Sequence, residues 1–163
     1  MTASRSPLFL PLIGFFLTLS SATAHAGLGH PLSEAAHDGH PVGQVQRFSA
    51  KTAAGTSAGT SAVQSQTVQT PQGITVTEYA DAAGTVFALT WKGPFKPDLQ
   101  QLLGTYFAPF LQAAKTQTQQ LNVSMVQGSD IIVHSAGRMR GFVGVAWVPS
   151  LVPADFDPRA LQP

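Results

Sequence analysis

The chain has 163 residues, nine lysines and arginines against eight aspartates and glutamates, five histidines and no cysteine. That length suits one domain, and the near-neutral charge argues against electrostatic binding to nucleic acid or to an anionic membrane. Without cysteine there is no disulfide, thiolate zinc site, iron–sulfur cluster or thiol nucleophile, so packing must hold the fold unaided.

Residues 1–26 read as a secretory signal peptide. Arg5 supplies a positive start, residues 8–19 form an apolar run of 12, and Ala24-His25-Ala26 is a small-residue cleavage site. The run is short for a permanent membrane helix, so no transmembrane span is expected after cleavage. Cleavage after Ala26 leaves 137 residues in which, without Arg5, eight basic side chains balance eight acidic ones.

Residues 27–62 form an N-terminal segment and linker. Residues 27–43 hold few large apolar side chains. Ser33 can cap one helical turn, which Pro31, Gly39 and Pro41 confine. Residues 44–48 suit a short peripheral strand. Residues 50–65, centred on a GTSAGTSA doubling, are rich in Gly, Ser, Thr and Ala and read as a flexible loop.

Order is expected over 63–149. Residues 65–70 and 74–79 alternate as a hairpin around Pro71-Gln72-Gly73. Asp81-Ala82-Ala83-Gly84 turns into a strand in which Phe87, Leu89 and Trp91 fall two apart and are expected to share one face. A different period follows. Leu99, Leu102, Leu103, Tyr106, Phe107, Phe110 and Leu111 recur at three and four residues, the stripe of one long helix. Pro97 suits its first position and Asp98 its positive dipole end, while Pro109 predicts a kink or break near residues 105–109. Strands are then expected at 122–127, 131–135 and 139–148, with turns at 128–130 and 136–138. In the last, Val143, Val145 and Trp147 make a bulky face, and Gly144 and Ala146 a bare one that close approach of the helix would explain. Residues 150–163 are proline-rich and read as an extended or disordered tail.

Three strands, a helix and three strands predict an α+β fold: an antiparallel sheet of about six short strands with one long helix on one face. Its core is expected to contain Phe87, Leu89, Trp91, Leu99, Leu103, Tyr106, Phe107, Phe110 and Trp147.

No residue pattern defines an active site. His30, His37 and His40 could share a helix face and hold a metal weakly, but the flanking prolines and glycine oppose that helix. Asp130, His134 and Ser135 have the residue types of a hydrolase triad. Adjacent strand residues point to opposite faces, however, whereas a nucleophile and its base must hydrogen-bond. Glu78 is the single acidic residue within a predicted strand, and pairing it with Asp98 or Asp130 has no motif behind it. Arg138 and Arg140, two apart at a strand entry, could hold a carboxylate, phosphate or acidic glycan, or else guard a sheet edge. There is no G-x-G-x-x-G, Walker A or H-E-x-x-H, and no cofactor is expected.

Several stretches carry a family resemblance: Leu28-Gly29 with Pro31; Thr70-Pro71-Gln72-Gly73; Glu78-Tyr79; Gly84-Thr85-Val86-Phe87-Ala88; Trp91; Gly93-Pro94; Pro97-Asp98-Leu99; Leu102-Leu103-Gly104; Tyr106-Phe107; Met139-Arg140; Phe142; Gly144; and Ala146-Trp147. The chain resembles a family of short secreted proteobacterial proteins catalogued as domain of unknown function 2844. The resemblance implies a Gram-negative source and export to the periplasm or beyond, and brings no activity, cofactor or catalytic residue. The GTSAGTSA insert departs from the family pattern and reads as a tolerated loop. The expected function is a non-enzymatic exported domain that binds an envelope protein or cell-wall component near Arg138 and Arg140. The alternatives are a small hydrolase using scattered carboxylates or His134, and metal binding by the N-terminal histidines.

Overall fold

The computed structural model describes residues 27–32, 40–49, 62–117 and 122–161. The expected signal peptide, the turn after Ser33, His37 and most of the low-complexity loop lie outside these residues.

The fold is one antiparallel sheet. Its strands are β1 (His40–Pro41), β2 (Gln46–Ser49), β3 (Ala62–Gln69), β4 (Thr75–Ala80), β5 (Val86–Gly93), β6 (Val123–Gln127), β7 (Ile132–Arg138) and β8 (Gly141–Trp147). The order is β1-β3-β4-β5-β8-β7-β6, with β2 pairing β3 beside β1. Two meanders, β3-β4-β5 and β6-β7-β8, therefore join through β5 and β8 at the centre. The connection between them carries two short helices, α1 (Leu99–Leu103) and α2 (Phe107–Lys115), separated by a 3-10 turn at Gly104–Tyr106.

This corrects the expected architecture. Among the described residues the sheet has eight strands rather than about six, and the fold is mostly sheet, with a short interrupted helical segment where one long helix was expected. The interruption falls at Gly104–Tyr106, at the N-terminal edge of the expected break. Gly104 takes φ 52°, a left-handed value that side chains resist. Pro109 sits in the first turn of α2, where its missing N–H costs nothing. Asp98 is the N-cap of α1, with Oδ1 accepting from the N–H of Gln100 (2.9 Å) and Gln101 (3.3 Å), so Pro97 precedes the helix rather than opening it. Leu111, counted in the apolar stripe, is 43% exposed.

The sheet has two apolar faces. On the helix-bearing face, Leu89, Trp91, Val126, Val133 and Ala146 pack with Leu102, Leu103 and Phe110; Leu99, Tyr106 and Phe107 are half-buried against them. Phe107 and Phe110 stack with centroids 6.1 Å apart. Phe87, expected beside Leu89, lies on the other face. Tyr79 pairs with Ala88, but Ala80 pairs with Val86, so Phe87 is the extra residue of a β-bulge. The bulge resets the alternation and turns Phe87 toward Val63, Ala88 and Trp147.

Two flanking segments close these faces. The segment at 27–32 buries Leu28 and Leu32 in the helix-side cluster. Its backbone runs along the start of β5: Gly29 N–H donates to Val86 O (2.8 Å), Val86 N–H to His30 O (3.0 Å), and Leu32 N–H to Gly84 O (2.9 Å). The stretch 151–161, expected to be extended or disordered, packs Leu151, Val152, Phe156 and Leu161 on the opposite face. The Phe156 ring meets Phe87 edge-on at 5.0 Å.

The Asp81–Gly84 hairpin forms where expected. Asp81 Oδ1 accepts from Ala83 N–H and Thr85 N–H, both at 2.9 Å, and Gly84 takes φ 89°. The β7–β8 turn is displaced from the expected 136–138. Arg138 pairs with Gly141, so Met139 and Arg140 form the tip. Gly137 stays in β7, where the Phe142 ring occupies the space a side chain would need.

Candidate functional site

Two hollows lie on the helix-bearing face, one on each side of the loop at residues 94–98. Lys96 and Pro97 border both.

The first is a groove of about 410 Å³ between this loop and the ends of β6, β7 and β8. Leu99 and Phe142 supply its apolar surface, with the buried Trp91 beneath, while Asn122, Ser124 and Ser135 supply hydrogen-bonding groups. Arg138 and Lys96 are its two charged residues, and no carboxylate lines it among the described residues. Both cations are solvent-exposed. Two exposed cations in a concave, half-apolar surface that no described carboxylate lines favour an anion.

The expected arginine pair divides here. Arg138 ends β7 and lines the groove, whereas Arg140 sits at the hairpin tip with φ 62°, the one described non-glycine residue at positive φ. A left-handed φ favours glycine or asparagine, so Arg140 carries backbone strain. Met139 beside it is 100% exposed. Lys96 was not singled out by the sequence, because an isolated lysine in a loop gives no sign of what it faces.

The second hollow is a cavity of about 280 Å³ under the other side of the loop, between β3, β4 and α1. Val68, Ile74, Val76 and Leu102 form walls, and Phe95 stands at its mouth, 61% exposed. Glu78 lines it and is only 2% exposed. The strand alternation explains this placement: Val76, Glu78 and Ala80 are the buried residues of β4. Reading that period through Glu78 would have put a carboxylate on the core side.

The other sequence candidates are not drawn together. Asp98 borders the cavity with Glu78, but its Oδ1 is committed to the start of α1. Asp130 lies in the β6–β7 turn. His134 faces the opposite side of the sheet, where its ring meets Trp147 edge-on at 5.1 Å; Ser135 faces the groove. Burial pushes the His134 pKa below the usual imidazole value, and its buried Nε2 has no hydrogen-bond partner among the described residues. His30 runs beside the start of β5, whereas His40 pairs with Gln69 at the far end of β3. With His37 outside the described residues, no group of three metal-ligating side chains forms among those described. No described helix is long and apolar enough to cross a membrane.

A sheet with a basic groove and an acid-floored cavity on one face defines a small β-rich domain with two concave sites and no assembled catalytic constellation among the described residues. The family described as Protein of unknown function (DUF2844) matches residues 24–161, and the chain belongs to it. No curated protein and no solved structure matches the chain.

Proposed function

We propose that this protein is an exported binding domain of the bacterial envelope, and that it acts without catalysis. Its ligand is an anionic envelope component, an acidic glycan or a carboxylate-bearing protein segment, held in the groove beside Arg138. The observation that carries this reading is the shared groove of Arg138 and Lys96, which has apolar and hydrogen-bonding walls and, among the described residues, no lining carboxylate. Arg138 presents a planar donor fork to a carboxylate, Lys96 adds a point charge from the loop, and the half-exposed Leu99 and Phe142 give the ligand's apolar atoms a surface. Export rests on the N-terminal sequence pattern.

In-cell cross-linking of the tagged full chain, followed by mass spectrometry, tests this. One dominant envelope partner is expected, and it should be lost in an Arg138→Ala/Lys96→Ala variant that still folds. The same partner at undiminished yield in the variant, or no partner with either protein, would overturn the assignment and return attention to an enzymatic role.

A further inference from the structure

Glu78 is the one charged residue among the described buried ones. It occupies a core-side position of β4, opposite Leu89 of β5, where the alternation calls for a valine or isoleucine. Burying a carboxylate carries a large desolvation cost, and breaches of this kind concentrate where a protein binds something. Glu78 keeps an interaction within the protein. A carboxylate offers about four lone-pair sites, so it can serve a ligand as well.

We propose that the cavity under residues 94–98 is a second binding site, which takes a small organic cation: an ammonium or guanidinium group on a short apolar stem. Glu78 is its counter-ion. Val68, Val76 and Leu102 accept the stem, and the volume of about 280 Å³ suits a group of a few carbon atoms. At the mouth, Phe95 presents an aromatic ring that can stack on a cation. Asp98 adds a second carboxylate there, against the single exposed ammonium of Lys96. The balance of charge around the cavity thus opposes that of the groove, although Lys96 borders both. This site stands independently of the proposed function.

The test is an NMR titration of the full chain with n-butylammonium chloride, using n-butanol as the neutral isostere at matched ionic strength. Saturable shifts are expected at Val68, Val76 and Leu102, with n-butanol weaker by about tenfold or more. Glu78→Gln should remove most of that preference, leaving what Asp98 and Phe95 contribute. Phe95→Ala, a change at an exposed side chain, should weaken the cation. Lys96→Ala should strengthen it while weakening anions in the groove, so the two sites respond in opposite directions. If Glu78→Gln fails to fold, the Phe95 and Lys96 variants carry the test. Equal binding of n-butanol, absence of saturable shifts, or an undiminished charge preference in folded Glu78→Gln would overturn the proposal.

Discussion

The indole of Trp91 lies over Gly144 of the neighbouring strand. The two residues are register partners between β5 and β8, and the Trp91 ring fills the space a side chain on Gly144 would take. The bare face expected at Gly144 is thus explained by a tryptophan next to it, rather than by close approach of a helix. Trp91 is fully buried, so Trp91→Ala should cost about 3–5 kcal/mol. Gly144→Ala forces the indole to move and should cost about 1–3 kcal/mol or more. In the Trp91→Ala background the Gly144→Ala cost should nearly vanish, because its cause has gone. Urea denaturation of the four proteins measures this coupling; additive effects would contradict the contact.

The Phe156 contact makes the C-terminal stretch part of the fold. Phe156→Ala removes the ring that meets Phe87 and lies 6.5 Å from Tyr79. A loss of about 2–4 kcal/mol is expected, below a fully enclosed phenylalanine because Phe156 is half-buried. Hydrogen exchange should accelerate over 151–161. Unchanged stability and exchange would place the tail off the sheet.

Arg140 tests the hairpin strain separately from the groove. Arg140→Gly relieves a left-handed backbone, offset by the greater freedom of glycine in the unfolded chain, for a net gain of about 0.5–1 kcal/mol. Thermal unfolding should move upward while anion binding stays as it was, because Arg140 does not line the groove. A fall in stability would refute the turn geometry.

His134 predicts a pH dependence. Desolvation holds its folded pKa below the unfolded value of about 6.5. Just below pH 6.5 the unfolded chain therefore binds more protons than the folded one, and stability rises with pH. The contribution of His134 is complete above about pH 6.5 and declines as pH falls toward its depressed folded pKa. Urea midpoints between pH 7.5 and 5 should fall in the wild type and fall less in His134→Gln. Equal slopes would show that His134 takes up its proton in the folded protein as freely as in the unfolded chain.

The sequence makes the hairpins legible because their turns carry local chemistry: Asp81 accepts from its own turn's N–H groups, and Gly84 supplies positive φ. It misplaces Phe87, since a bulge of one residue separates its face from that of Leu89 and Trp91 and leaves no mark in VFALTW. It also misses the burial of Leu28 and Phe156. Each sits in a polar or Gly/Pro-rich stretch, and its slot is built from residues distant in the chain. The helical periodicity is visible and so is a break near residues 105–109, but its cause is misassigned: Pro109 fits the first turn of α2, and Gly104 with its positive φ makes the interruption. Arg138 stands out as a charged strand end; Lys96 becomes its companion only through the path of the loop across the sheet.

The most direct test of the proposed function is a low-salt NMR titration of the full chain with a hexameric oligogalacturonate, set against its fully methyl-esterified, neutral counterpart. The account predicts saturable shifts at Lys96, Arg138 and the Trp91 indole for the acidic oligomer alone. These should weaken about tenfold or more in Arg138→Ala and fade as salt is raised. Equal shifts with the neutral oligomer, or shifts that ignore Arg138→Ala, would contradict an anion-binding groove.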